Sequence, residues 1–180
     1  MTVTRGQQST LAQVGSGSTL PVVWGTSPTA GNSVLVFVQM ASGAAPTSVI
    51  DNGVSPTTFT LDVSDTNLDG AFVYRANNIS LPASGSYTVT VTVSGLHTIQ
   101  AWGEETIGMK AGPPDATVSP HGTGTAVSSG AIAPTNAGGI VFGGFSDDTG
   151  LNPETITFGG SAPQVEQARN TTARPSPRWR

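Results

Sequence analysis

The stretch "SYTVTVTVS", residues 86–94, alternates with a period of two. Tyr87, Val89, Val91 and Val93 point one way, and Ser86, Thr88, Thr90, Thr92 and Ser94 the other. Successive side chains of a strand face opposite sides, so this segment reads as extended, with one face in a core and the other wet or lightly packed. A helix would scatter the same apolar residues around its circumference. "NSVLVFVQMA", residues 32–41, is a different kind of strand. Val34, Val36, Val38 and Met40 form one face, but Leu35 and Phe37 lie on the other, so the reading is a strand covered on both sides.

Further strands are expected at "LPVVW", "TSVID", "TTFTLDV", "GAFVYRA", "HTIQAWGEETI", "GTAVSSGAIA", "GGIVFGGFS" and "ETITFGG", nearly all separated by turn-forming residues. "GEETIGMK" allows one short helical turn at most, and no window gives a long amphipathic helix. Composition agrees. The 180 residues include 23 Gly and 13 Pro, and only 10% are charged, against about 25% in an average domain. Many short strands joined by turns imply an all-β, antiparallel β-sandwich or a barrel. The domain is expected to span residues 1–162, with an extended basic tail over 163–180.

That tail, "ARNTTARPSPRWR", holds Arg169, Arg174, Arg178 and Arg180, four of the seven Lys+Arg in the chain, and none of the eleven Asp+Glu lies among its arginines. The net charge is −4, so residues 1–168 carry −8 once the tail's four positive charges are set aside. Such a body is repelled by phosphates, and no nucleic-acid partner is expected. The chain has no cysteine, which excludes disulfides and thiolate metal sites. "MTVTRGQQST" lacks the apolar run of a signal peptide, and "VLVFV" is too short to cross a bilayer, so no membrane association is expected.

Few residues carry a chemical signal. Asp65, Asn67 and Asp69 recur at alternate positions before Gly70, as at the start of an EF-hand calcium loop, with Asp62 as an extra ligand. The twelfth position, where a bidentate Glu is required, is Ala76, so the preferred reading is a turn between strands and no metal or cofactor is expected. Asp147 with Asp148 and Glu104 with Glu105 are adjacent carboxylates. Neighbours on a loop point apart, and the two glutamates read as a solvated strand end. His97 and His121 have no identifiable nucleophile or acid beside them, there is no G-x-S-x-G elbow, and "GTGTAVSSG" lacks the lysine of a phosphate loop. The chain is therefore not expected to be an enzyme. Trp24 reads as core or rim and Trp102 as core, with a sugar-stacking face as the other option. Trp179 sits between Arg178 and Arg180, just after Pro175 and Pro177. Prolines lower the cost of docking an extended segment, and Trp and Arg are favoured interface anchors. A solubilising terminus is the equal alternative.

Three stretches, "LPVVWGTSPTAGNSVLVFVQMASG", "PTSVIDNG" and "SGSYTVTVTVSG" followed by "IQAWGEETIG", resemble β-sandwich proteins of tailed bacteriophages and their actinobacterial hosts, in phages commonly virion parts, over about residues 10–146. The resemblance implies a jelly-roll-like sandwich and a capsid decoration or minor capsid role. It implies a protein made in the host cytoplasm and placed on the outer capsid surface. The partner would be the major capsid protein shell, bound by a homo-oligomer, with Arg169, Arg174, Arg178, Trp179 and Arg180 as the anchor. Such domains close with further strands where this chain runs into its tail, so an open edge is expected to seek a neighbour. A tail appendage or host-surface glycan-binding module is the alternative, and it requires clustered exposed aromatics.

Overall fold

The computed structural model describes residues 3–41, 44–66 and 70–119, and the single positions 131, 133, 135, 140 and 142. These residues form seven strands and no helix: β1 Thr4–Gln8, β2 Ala12–Val23, β3 Ser33–Met40, β4 Pro46–Asp51, β5 Thr60–Asp65, β6 Gly70–Ala76 and β7 Thr88–Ile107. Every pairing is antiparallel. The expected all-β, antiparallel, sandwich-like fold is what the chain adopts. The boundary at residue 163 and the strands expected beyond residue 119 lie outside the described residues, the single positions apart.

β7 organises the fold. "SYTVTVTVS" and "HTIQAWGEETI" were expected as separate strands, but they form one strand of 20 residues. Gly95, at φ 88°, takes a left-handed conformation that lets Ser94–Leu96 loop out without ending the ladder. The register records it: Thr19 faces Thr92 but Gly17 faces His97, so two steps along β2 span five along β7. On one side β7 carries β2 and then β1. On the other, β4 pairs with its first half and β3 with its second. From β3 the sheet continues to β6 and β5.

The bend divides the sheet into two facing layers. The first half of β7 joins Thr19–Val23 and β4, and the second half joins β3, β6 and β5. Alternation then fills the space between. Leu20, Val22, Val49, Val89, Val91 and Val93 come from the first layer, and Val34, Val36, Val38, Met40, Phe72 and Ile99 from the second, all buried. Fully burying each such side chain contributes about 1.5–3 kcal/mol. Trp24 follows β2, is fully buried, and packs edge-on against Tyr87 with ring centroids 5.2 Å apart. The outer edge of β4 is extended by Thr57–Phe59, through Asp51 N to Thr57 O at 3.2 Å and Phe59 N to Val49 O at 2.8 Å. The chain then enters β5, which links the edges of the two layers.

β3 is covered on both faces, as its pattern required: Leu35 and Phe37 are each 4% exposed. Phe37 stacks on Trp102 at 4.6 Å with planes 8° apart, and Phe142 lies 5.9 Å from Phe37. Trp102 belongs to this outer face and not to the main core with Ile99, because an interval of three places two residues on opposite sides of a strand. The chain leaving β7 crosses here. The Arg75 guanidinium donates to Gly112 O, and Ser119 Oγ donates to Ser64 O at 2.9 Å.

Candidate functional site

Of the nine charged residues in the described chain, five have side chains held inside it, Asp51, Asp62, Arg75, Glu104 and Glu105, and a sixth, Arg5, reaches one of them from the surface. Charged side chains are almost never fully buried unless paired, and each of these has a built set of partners. Glu104 and Glu105 overturn the expectation of a solvated strand end, since both are 1% exposed. The reason is that β7 continues past them with β1 on one side and β3 on the other, and adjacent residues point to opposite faces. Glu104 takes a bidentate pair from Arg5, at 2.6 and 3.0 Å. Glu105 accepts from Gln7 N at 2.7 Å, Thr29 N at 2.8 Å and Asn32 Nδ2 at 2.6 Å. Burial pushes its carboxyl upward, but the donors from Asn32, Gln7 and Thr29 outweigh burial and hold it below the ordinary range. Gly6 lies so close to this carboxylate that a Cβ there has no room.

Asp51 ends β4 and is also buried. Its Oδ1 accepts from Gly53 N at 3.1 Å and Thr57 N at 2.8 Å, and its Oδ2 from the Tyr87 hydroxyl at 3.0 Å. Tyr87 is pushed far above the usual phenol range by burial, by the Asp51 charge and by that hydrogen bond. Asp62 and Arg75 form a second bidentate pair at 2.7 and 3.0 Å, each 7% exposed. Leu61, Asp62, Arg75, Gly112, Pro113 and Pro114 line a groove of about 420 Å³ beside it. These carboxylates accept from donors on other strands and turns, an arrangement that braces the fold.

Among the described residues no three His, Asp or Glu converge on a possible metal position. His97 Nε2 lies 3.0 Å from Ser94 O across the β7 bulge. Trp24 Nε1 is buried and has no acceptor among the described residues. Asp65 is the last residue of β5, whereas Asn67 and Asp69 lie outside the described residues. So do His121, Asp147, Asp148 and the whole proposed anchor, Arg169, Arg174, Arg178, Trp179 and Arg180.

The outer face of the first layer is the counterpart of this inward charge. It carries Thr19, Pro21 and Val23 from β2, Thr88, Thr90 and Thr92 from β7, and Ser48 and Ile50 from β4. None is charged. Val23 and Ile50 are exposed on it, and the exposed large apolar residues elsewhere, such as Val54 and Leu96, are likewise aliphatic. Sequence reasoning missed Asp51, Arg5 and Arg75. A signal for the two arginines was present: they are the only ones before residue 169, and so scarce a cation in a strand pattern marks an internal pair. No helix among the described residues is long and apolar enough to cross a membrane.

No family model, no curated protein and no solved structure matches this chain. The fold and the bracing define an all-β, antiparallel, sandwich-like domain.

Proposed function

We propose that the chain is a structural virion protein of a tailed bacteriophage: a jelly-roll-like capsid decoration protein that binds and stabilises the major capsid protein shell from outside. The observation that carries this reading is the distribution of charge. The described charges are largely used to brace strands, and a three-strand face of hydroxyls and small aliphatics is left without any. Such a face can be buried against protein without stranding an ion. The resemblance noted above supplies the virion setting. The role needs no turnover: a protein that binds only the assembled shell stabilises it by mass action. In this reading Arg169, Arg174, Arg178 and Arg180 pair with shell carboxylates, Trp179 fills a pocket, and copies associate with one another on the shell. The alternative, a glycan-binding tail appendage, calls for exposed aromatic side chains, and the exposed large apolar residues described are aliphatic.

Co-sedimentation with undecorated capsids tests it, using the intact chain, a chain ending at Ala168, and Thr90→Lys. The intact chain is expected to pellet with shells. Loss on truncation assigns the anchor to the tail, and loss in Thr90→Lys assigns it to the uncharged face. An intact chain that stays in the supernatant with shells in excess sinks the capsid reading.

A further inference from the structure

β1, with the sequence TRGQQ, contains no apolar side chain. β2, β3, β4, β6 and β7 each bury at least one apolar residue in the core, and β5 half-buries Val63. β1 is docked by its backbone ladder to β7, from Thr4 opposite Ile107 to Gln8 opposite Glu104, and by the two carboxylates. The register slips between Arg5 and Gln8. Ser9 is tied to Gly103 by two hydrogen bonds, at 2.9 and 2.7 Å. Thr10 and Leu11 then separate it from the next strand, β2.

We infer that the edge of β7 at Glu104–Ile107 is a strand-acceptor site whose occupant can be Thr4–Gln8 of a second copy of this chain. Three observations point to that occupant. The first is charge complementarity. Arg5 is one of only three cations in the described chain, and its partner is a carboxylate 1% exposed at the acceptor edge. The second is shape. The acceptor is closed to any side chain at the position of Gly6, because Glu105 lies directly against it. A peptide with Gly between Arg and Gln fits, and this chain supplies one. The third is energetic. Each bond made within one copy is made identically between copies, so exchange costs only the joining of two chains, and short connections such as Thr10–Leu11 favour it. With no apolar surface to expose, β1 leaves its site without the hydrophobic penalty that holds the core strands in place. Where copies are crowded, as in any ordered array, the effective concentration of a neighbour's strand favours exchange. The inference does not depend on the array being a capsid.

The absence of cysteine permits a clean test. Thr4 and Ile107 are register partners, and facing Cα atoms in an antiparallel pair are about 4.5–5.5 Å apart, within the roughly 4.4–6.8 Å that a disulfide accepts. Full-length Thr4→Cys and Ile107→Cys chains are mixed at high concentration and oxidised. The double variant, oxidised when dilute, serves as the control for docking within one copy. Exchange predicts a mixed disulfide dimer exceeding either homodimer by at least about tenfold, because the site raises the effective concentration of that pair alone. Glu104→Gln in the Ile107→Cys chain should reduce the excess. A mixture that remains monomeric overturns the inference, and so does one whose mixed and like dimers form in random proportion.

Discussion

The indole of Trp24 lies against the α-carbon of Gly103, and a methyl group added at that glycine would overlap Cζ2 and Cη2 of the ring. The two residues belong to opposite layers, so their contact fixes how far the sandwich can close. Gly103→Ala should destabilise the fold by about 1–3 kcal/mol through overpacking. Urea unfolding measures it, and an unchanged midpoint would show that the layers do not meet at this contact.

Tyr87→Phe removes one of the donors to the buried Asp51. The expected loss is about 1–3 kcal/mol, the cost of leaving a buried acceptor without its partner. In the intact protein both tyrosines sit above their ordinary range: Tyr74 by burial, and Tyr87 by burial and by Asp51. A raised phenol contributes stability that is complete below the unfolded value of about 10 and declines as pH rises past it. Absorbance near the tyrosinate band should therefore appear together with unfolding. Ionisation of both tyrosines in the folded state would contradict the burial.

Glu105 works in the other direction. Its depressed folded value contributes stability that is complete above about 4.3 and is lost as pH falls through the folded value. Glu105→Gln should flatten the acid limb of the stability curve and leave the alkaline limb in place. A parallel shift of both limbs would mean that the carboxylate is not the group responsible.

Arg75 and Asp62 form a buried pair, so removing one partner should be worse than removing both. Arg75→Met alone is expected to cost about 3–5 kcal/mol, whereas Arg75→Met with Asp62→Leu should recover most of it. Thermal unfolding of the single and double variants decides; equal losses would refute coupling between the two.

Pro21 lies in β2, which pairs with β7 on one side only among the described residues. Trp24 N bonds to Tyr87 O, so alternation makes Pro21 opposite Thr90 a non-hydrogen-bonded pair. The proline nitrogen therefore faces outward along the open edge, where it denies a donor to an incoming strand. Pro21→Thr should raise light scattering at high concentration with little change in stability. Unchanged scattering would mean that the edge is protected by something else.

The alternating patterns carried most of the architecture. Val34, Val36 and Val38 and the Tyr87–Val93 series lie on the faces their spacing assigns, because period two is a local property of an extended chain. The merging of two segments into β7 was not legible, since Ser94-Gly95-Leu96 reads equally well as a turn or as a bulge. The bracing was hidden for a different reason. Arg5 meets Glu104 across 99 positions of chain, and Asp51 meets Tyr87 across 36. No local pattern encodes such pairings; they follow from strand order, which only the folded chain reveals.

β7 also sets the timing of folding. Its partners β1 and β2 are complete by Val23, but the strand they pair with begins at Thr88. On a ribosome the first two strands must wait for more than sixty intervening residues before their ladder can form. Closing such distant pairs is the slow step for chains of this topology. Until then β2 is a strand with no partner on either side, and Pro21, on guard at one edge of the finished protein, is already in place while the chain is still being made.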